Sequence, residues 1–279
     1  MPPAIDESNG SHNRAASPSQ NVKAIMSFSL SVARLTLIEA LRTRLPWLAA
    51  IVVALALGLA QFLGQVAIIE AAHIQATLLA TLLRVTAVFI VVTFVVTSMV
   101  RETSDKVTEL LLSQPAPRSA YFFGKLAGYF AVAGLIAISF AIPLAFFSSP
   151  GGLLLWTLSL LCELTIMAAL SLFCVLSLTQ VVPAISAAAG FYLLARSMTT
   201  IQLIAAASLS HDPTLTDRIV SWGIAAVAML LPSLDLMTPS SWLLSMPDPS
   251  ALTVVLVQTA LYLPLLASAS LFDLYRKNF

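Results

Sequence analysis

The sequence predicts an all-α, polytopic membrane protein with six transmembrane helices, and three observations carry that reading. Apolar residues make up 59% of the 279-residue chain and charged residues only 10%, against roughly 25% charged in a soluble domain. The apolar residues fall in long runs, each near the ~20 residues that a helix needs to cross a ~30 Å hydrocarbon core. The densest charge lies between two of these runs, in Arg101–Lys125. Formal net charge is +1, so overall charge gives no nucleic-acid reading.

The first stretch, Met1 to about Val22 (residues 1–22), is rich in Ser, Asn and Pro and reads as a disordered tail. It lacks the apolar run of a signal peptide, and His12 reads as a solvated residue of that tail. Residues 23–279 read as one membrane domain. Ala24–Leu45 alternates Ile25, Phe28, Val32 and Leu35 with Arg34, Glu39, Arg42 and Arg44. That pattern suits a helix lying in the membrane interface.

The spans follow in order. The first covers about Pro46–Val66, the second Leu78–Val100 and the third Leu126–Phe147. Ser148–Gly152 is a turn, and the fourth span is about Leu153–Leu178. After a very short connection at Thr179–Val182, the fifth runs to about Ile204 and the last is Leu252–Phe272. Ile219–Leu231 is apolar but short and ends at Pro232, which suits a re-entrant or interfacial segment better than a span. Asp273, Arg276 and Lys277 close the chain in water.

Arg101–Lys125 is expected to be a solvated connection between the second and third spans. Val107, Leu110 and Leu111 fall on one face at helical spacing. Glu102–Lys106 and Arg101–Asp105 are i,i+4 pairs of opposite charge. Pro115 and Pro117 then stop the helix. The run reads either as a plain solvated loop or as a docking element for a soluble partner.

In order and position, Arg101-Glu102, Glu109-Leu110-Leu111-Leu112-Ser113, Pro115, Arg118 and Gly124-Lys125 resemble the first cytoplasmic loop of ABC-2 type permeases. These are membrane subunits of ATP-binding-cassette transporters. The resemblance extends more weakly over residues 25–279, through the number and order of spans. It implies that Arg101, Glu102, Lys106, Val107, Glu109, Leu110 and Leu111 form a coupling helix docked on a separate ATPase subunit. It also implies an N-terminal amphipathic elbow helix before the first span. Ile219–Leu244 would supply short outer helices between spans five and six.

Orientation follows from Lys and Arg in short loops. Arg34, Arg42 and Arg44 precede the first span, Arg101, Lys106, Arg118 and Lys125 follow the second, and Arg276 and Lys277 follow the last. With six spans these groups share one side, so both termini are expected to be cytoplasmic in a multi-pass protein of the cell (inner) membrane. The other side carries Glu70, His73, Asp212, Asp217, Asp235 and Asp248, with Arg218 the main exception.

Catalytic motifs are absent from the sequence. It has no G-x-x-x-x-G-K-[ST] loop, H-E-x-x-H, C-x-x-C or G-x-S-x-G. Of the histidines only His211 has an acidic neighbour, Asp212, and no metal site is expected. Cys162 and Cys174 share one span, ~18 Å apart by helical rise, too far for a disulfide within the chain. Gly124-x-x-x-Gly128 lets a helix approach closely, within the subunit or in a dimer.

Three charges lie inside spans: Arg84, Glu163 and Arg196. From the 1.5 Å helical rise, Arg84 lies ~24 Å above the inner end of its span, Arg196 roughly 20 Å, and Glu163 ~15 Å below the outer end. All three fall in the outer half of the bilayer, where such groups face the protein interior or a wet cavity and pair. They read as a structural ion pair or as a polar patch on a substrate pathway.

The resemblance therefore implies a permease, expected to be an exporter, that is not itself an enzyme. ATP and Mg would sit on the partner ATPase and no cofactor on this chain. A homodimer or a paired permease is expected in the lipid bilayer. The alternative is a non-transporting assembly factor, of the kind tied to copper-enzyme maturation, which also works with an ATPase.

Overall fold

The computed structural model describes residues 18–66, 71–105, 117–208, 215–237, 240–243 and 249–276. Among them every regular element is helical. Six helices are long and apolar enough to cross a membrane, and the chain is a multi-pass membrane protein.

α1 (Pro18–Arg42) begins inside the stretch expected to be a disordered tail. Proline is tolerated in the first turn of a helix, where its missing donor would have no partner. Val32, Thr36 and Ala40 form the buried stripe of α1 at i,i+4 spacing, whereas Met26, Leu30, Leu35 and Leu41 are exposed. Thr43 and Arg44 turn the chain into α2 (Leu45–Val66), and α3 (Ala71–Ser104) follows. α3 outruns the expected second span at both ends, so Arg101 and Glu102 lie on its last turn.

α4 (Arg118–Leu144) corrects an expectation. The third span was expected to start at Leu126, with Arg118–Lys125 in water. The helix instead starts at Arg118, and Lys125 is buried. The physical reason is that Tyr121, Phe122 and Leu126 are buried on the same helix. A lysine stem can share that burial once its ammonium has partners.

α5 (Pro150–Leu178) opens with Ser149 as N-cap, its hydroxyl accepting from the Gly152 N–H at 3.3 Å. It is the axis of the bundle. The hydrophobic window of this span is 78% buried, against 17% for the first span and 11% for the last. It packs on α3 and α4, on α6 (Val181–Ser208) and on α9 (Pro249–Arg276). Thr179, at φ 58°, ends α5 in the left-handed conformation, and its N–H returns to the Val175 carbonyl. α6 starts two residues later.

Between α6 and α9 lie α7 (Leu215–Leu230), α8 (Leu234–Met237) and a single 3-10 turn, Ser240–Leu243. These are the short helices expected there, but α8 and the 3-10 turn do not lie on a surface. Leu231, Leu234, Met237, Trp242 and Leu243 are buried. Ser159 Oγ donates to the Met237 carbonyl, and Ser149 N–H donates to Leu243 O at 3.2 Å. The segment plugs the end of the bundle where α5 begins.

The small-residue pair of α4 packs inside the subunit. A Cβ on Gly128 would meet Thr36 Cβ at 2.7 Å, and one on Gly124 would meet Ser29 O at 2.6 Å. Glycine at both places lets α1 lie directly on α4.

Candidate functional site

Two buried polar clusters stand at different heights of the bundle. The first is built by α1, α3 and α4 at the end where α1 stops and α4 starts. Tyr121, Lys125 and Tyr129 are spaced by four residues on α4 and therefore share a face. Lys125 Nζ donates to Glu102 Oε1, Tyr121 OH donates to Glu102 Oε2 at 3.0 Å, and Lys125 Nζ lies 3.8 Å from Glu39 Oε2. Ser98 Oγ donates to the same Glu39 oxygen at 3.0 Å. The Lys125 ammonium also lies 5.4 Å from the Tyr129 ring centroid, within cation–π range. Tyr129 in turn meets Phe94 edge-on, centroids 6.1 Å apart.

This cluster joins three helices through one ammonium. With Lys125 3% exposed, such a charge is held only by partners that replace its water. Two carboxylates and a ring face do so. Glu102 and Lys125 are also the two ends of the charged connection, so their contact closes its base.

Of the residues expected to form a coupling helix, Arg101 and Glu102 are placed at the end of α3, and Glu102 turns inward to Lys125. Lys106, Val107, Glu109, Leu110 and Leu111 lie outside the described residues. Glu39, Ser98, Tyr121, Lys125 and Tyr129 were not singled out as site residues. The Tyr121-x-x-x-Lys125-x-x-x-Tyr129 spacing is a sequence signal for them, once the helix is started at Arg118.

The second cluster brings together the three intramembrane charges. Arg196 Nη1 lies 3.8 Å from Glu163 Oε1 and donates to the Leu234 carbonyl at 2.8 Å. Glu163 is fully buried and Arg84 is 3% exposed. Arg84 and Tyr192 are close enough to Glu163 to feel its charge. The Glu163 carboxylate of α5 thus contacts Arg196 of α6 and lies within electrostatic reach of Arg84 of α3. The Leu234 carbonyl draws the plug segment into the same cluster, a contact no spacing rule reveals.

Among the described residues no group of His, Cys, Asp and Glu could hold a metal ion, and Cys162 and Cys174 are free and buried. A scan against protein-family models and a search of curated proteins each give no match to this chain.

Proposed function

We propose that this chain is the membrane-spanning permease subunit of an ABC transporter, an exporter driven by a separate ATPase that docks on the connection 101–125. The observation that supports the reading best is the Glu102–Lys125 contact. It ties the two ends of that connection to each other and, through Glu39, to α1. A push on the intervening segment then reaches α1, α3 and α4 together rather than one flexible loop. The chain itself makes and breaks no bonds in this reading, and ATP and Mg belong to the partner. The positive ends Arg42, Arg44, Arg101 and Arg276 face the cytoplasm, with both termini there, in the cell (inner) membrane. The exposed apolar faces of α2, α6 and α9 meet lipid or a second permease subunit.

The test is co-expression with the candidate ATPase, followed by co-purification and ATP turnover in nanodiscs. Glu109→Arg should weaken assembly and lower coupled turnover while the permease keeps its thermal stability. Unchanged assembly and turnover would overturn the docking. Assembly with turnover but no movement of any solute class would instead favour the non-transporting assembly factor.

A further inference from the structure

Arg196 stands deep in the bundle with part of its guanidinium open. By helical rise it lies ~18 Å from the Ser208 end of α6 and ~22 Å from the Val181 end, near the middle of a ~30 Å hydrocarbon core. Nη1 is engaged: it donates to the Leu234 carbonyl at 2.8 Å and lies 3.8 Å from Glu163 Oε1. Among the described residues Nε and Nη2 donate no hydrogen bond, and neither is buried. The side chain is 24% exposed, whereas Arg84 of the same cluster is 3% exposed. Lipid cannot meet those two nitrogens, because a hydrocarbon tail accepts no hydrogen bond. Snorkelling serves long side chains near helix ends, and the bond to Leu234 holds this one inward.

The face of α6 around Arg196 changes along its length. Tyr192, one turn toward Val181, is buried. Thr199, Thr200 and Leu203 follow toward Ser208 at i+3, i+4 and i+7, so they share the face. Thr199 is half-buried, and Thr200 and Leu203 are exposed. Thr86, Thr97 and Ser197 donate their hydroxyls to their own helices. Among the described residues the hydroxyls of Thr199 and Thr200 make no such bond. The polar face is thus sealed toward Val181 and open toward Ser208. Arg196 is the only charged residue of α6, and Glu163 is fully buried behind it.

We propose that this face lines a water-filled vestibule, open toward the Ser208 end of α6, in which Arg196 receives anionic groups. Water satisfies Nε and Nη2 when the vestibule holds nothing else. A carboxylate, sulfonate or phosphate oxygen satisfies them better, because its bond to a guanidinium is charge-assisted. The hydroxyls of Thr199 and Thr200 add neutral donors one turn nearer the mouth. The vestibule does not depend on the transport reading. That its mouth faces the outside rests on the sidedness proposed above.

Single cysteines in intact cells test this, in the full chain with Cys162→Ala and Cys174→Ala. Thr200→Cys lies ~12 Å below the end of α6. Leu194→Cys, exposed on the other side of the helix, is the lipid-facing control. The probes are two impermeant methanethiosulfonates of similar size, one ending in a sulfonate and one in a quaternary ammonium. Thr200→Cys should be labelled and Leu194→Cys should not. Relative to their rates with a free thiol in solution, the sulfonate should react at Thr200→Cys about tenfold faster than the ammonium. Arg196→Gln should abolish that preference and Arg196→Lys should keep it. Raised ionic strength should shrink the preference in the parent, which reads the same charge without a substitution in α6 beyond the probe. Labelling of Thr200→Cys only after lysis would keep the vestibule and reverse the sidedness. No labelling from either side, or equal labelling of Leu194→Cys, overturns the vestibule. Equal relative rates for the two reagents overturn the role of Arg196.

Discussion

Lys125 and Glu102 lie 23 residues apart in sequence and in direct contact in space. Between them runs the connection from α3 to α4. An ammonium buried at the start of one span thus holds the carboxylate at the end of the one before it.

Removing that ammonium should loosen the end of the bundle. Lys125→Met leaves Glu102 and Glu39 facing each other without a cation. Both carboxylates keep some contact with solvent, at 17% and 25% side-chain exposure, so the loss is set below that of a fully buried pair, at about 2 kcal/mol. Lys125→Met with Glu102→Gln should recover part of it. Melting temperatures in one detergent, compared across the single and double variants, check this. A single variant as stable as the parent would remove the contact from any structural role.

The second cluster makes a sharper comparison. Glu163→Gln should destabilise by on the order of 3 kcal/mol, because Arg196 loses its carboxylate contact and Arg84 a charge within reach. The 3.8 Å contact belongs to Arg196. Glu163→Gln with Arg196→Met should therefore recover more stability than Glu163→Gln with Arg84→Met. The reverse order would make Arg84 the main partner.

Close approach of α1 to α4 predicts a cost for one methyl group. Gly128→Ala places a Cβ 2.7 Å from Thr36 Cβ, and overpacking of this kind costs roughly 1–3 kcal/mol. Gly58→Ala, where no atom lies within 4 Å, should be neutral or slightly stabilising. If thermal melts show equal effects at the two sites, α1 does not rest on α4 as described.

Membrane sidedness can be read with single cysteines. In a Cys162→Ala, Cys174→Ala background, Asp105→Cys and Arg218→Cys place thiols at opposite ends of the bundle, both at exposed positions. An impermeant maleimide should label Arg218→Cys in intact cells and Asp105→Cys only after lysis. Labelling of both from the same side would contradict the three crossings, α4, α5 and α6, that lie between them.

How far the sequence reveals this molecule depends on the physics of each part. The spans are legible because length and hydropathy alone define a membrane helix. Arg84, Glu163 and Arg196 are legible as a group because helical rise turns position into depth. Lys125 is not, since a lysine beside an apolar run can reach water or fold inward, and only Glu102 and Glu39 decide which. The burial of Leu234, Met237, Trp242 and Leu243 is hidden for a related reason: the partners of this segment, Ser159 and Arg196, are far away in the chain. The central place of α5 is hidden as well. α6 is as evenly apolar as α5 yet peripheral, because lipid and protein interior accept the same side chains.

The two-residue joint at Thr179–Gln180 makes α5 and α6 the arms of a pair of tongs. At that joint their separation is fixed by covalent geometry, so relative motion can only be angular and grows with distance from it. Glu163 lies ~24 Å along its arm by helical rise, so a swing of about 10° displaces it from Arg196 by ~4 Å. That is as large as the 3.8 Å contact itself. The cluster of Arg84, Glu163 and Arg196 thus sits far enough out for a small rotation to part its ion pair, and the carbonyl of Leu234 ties the plug to the α6 arm.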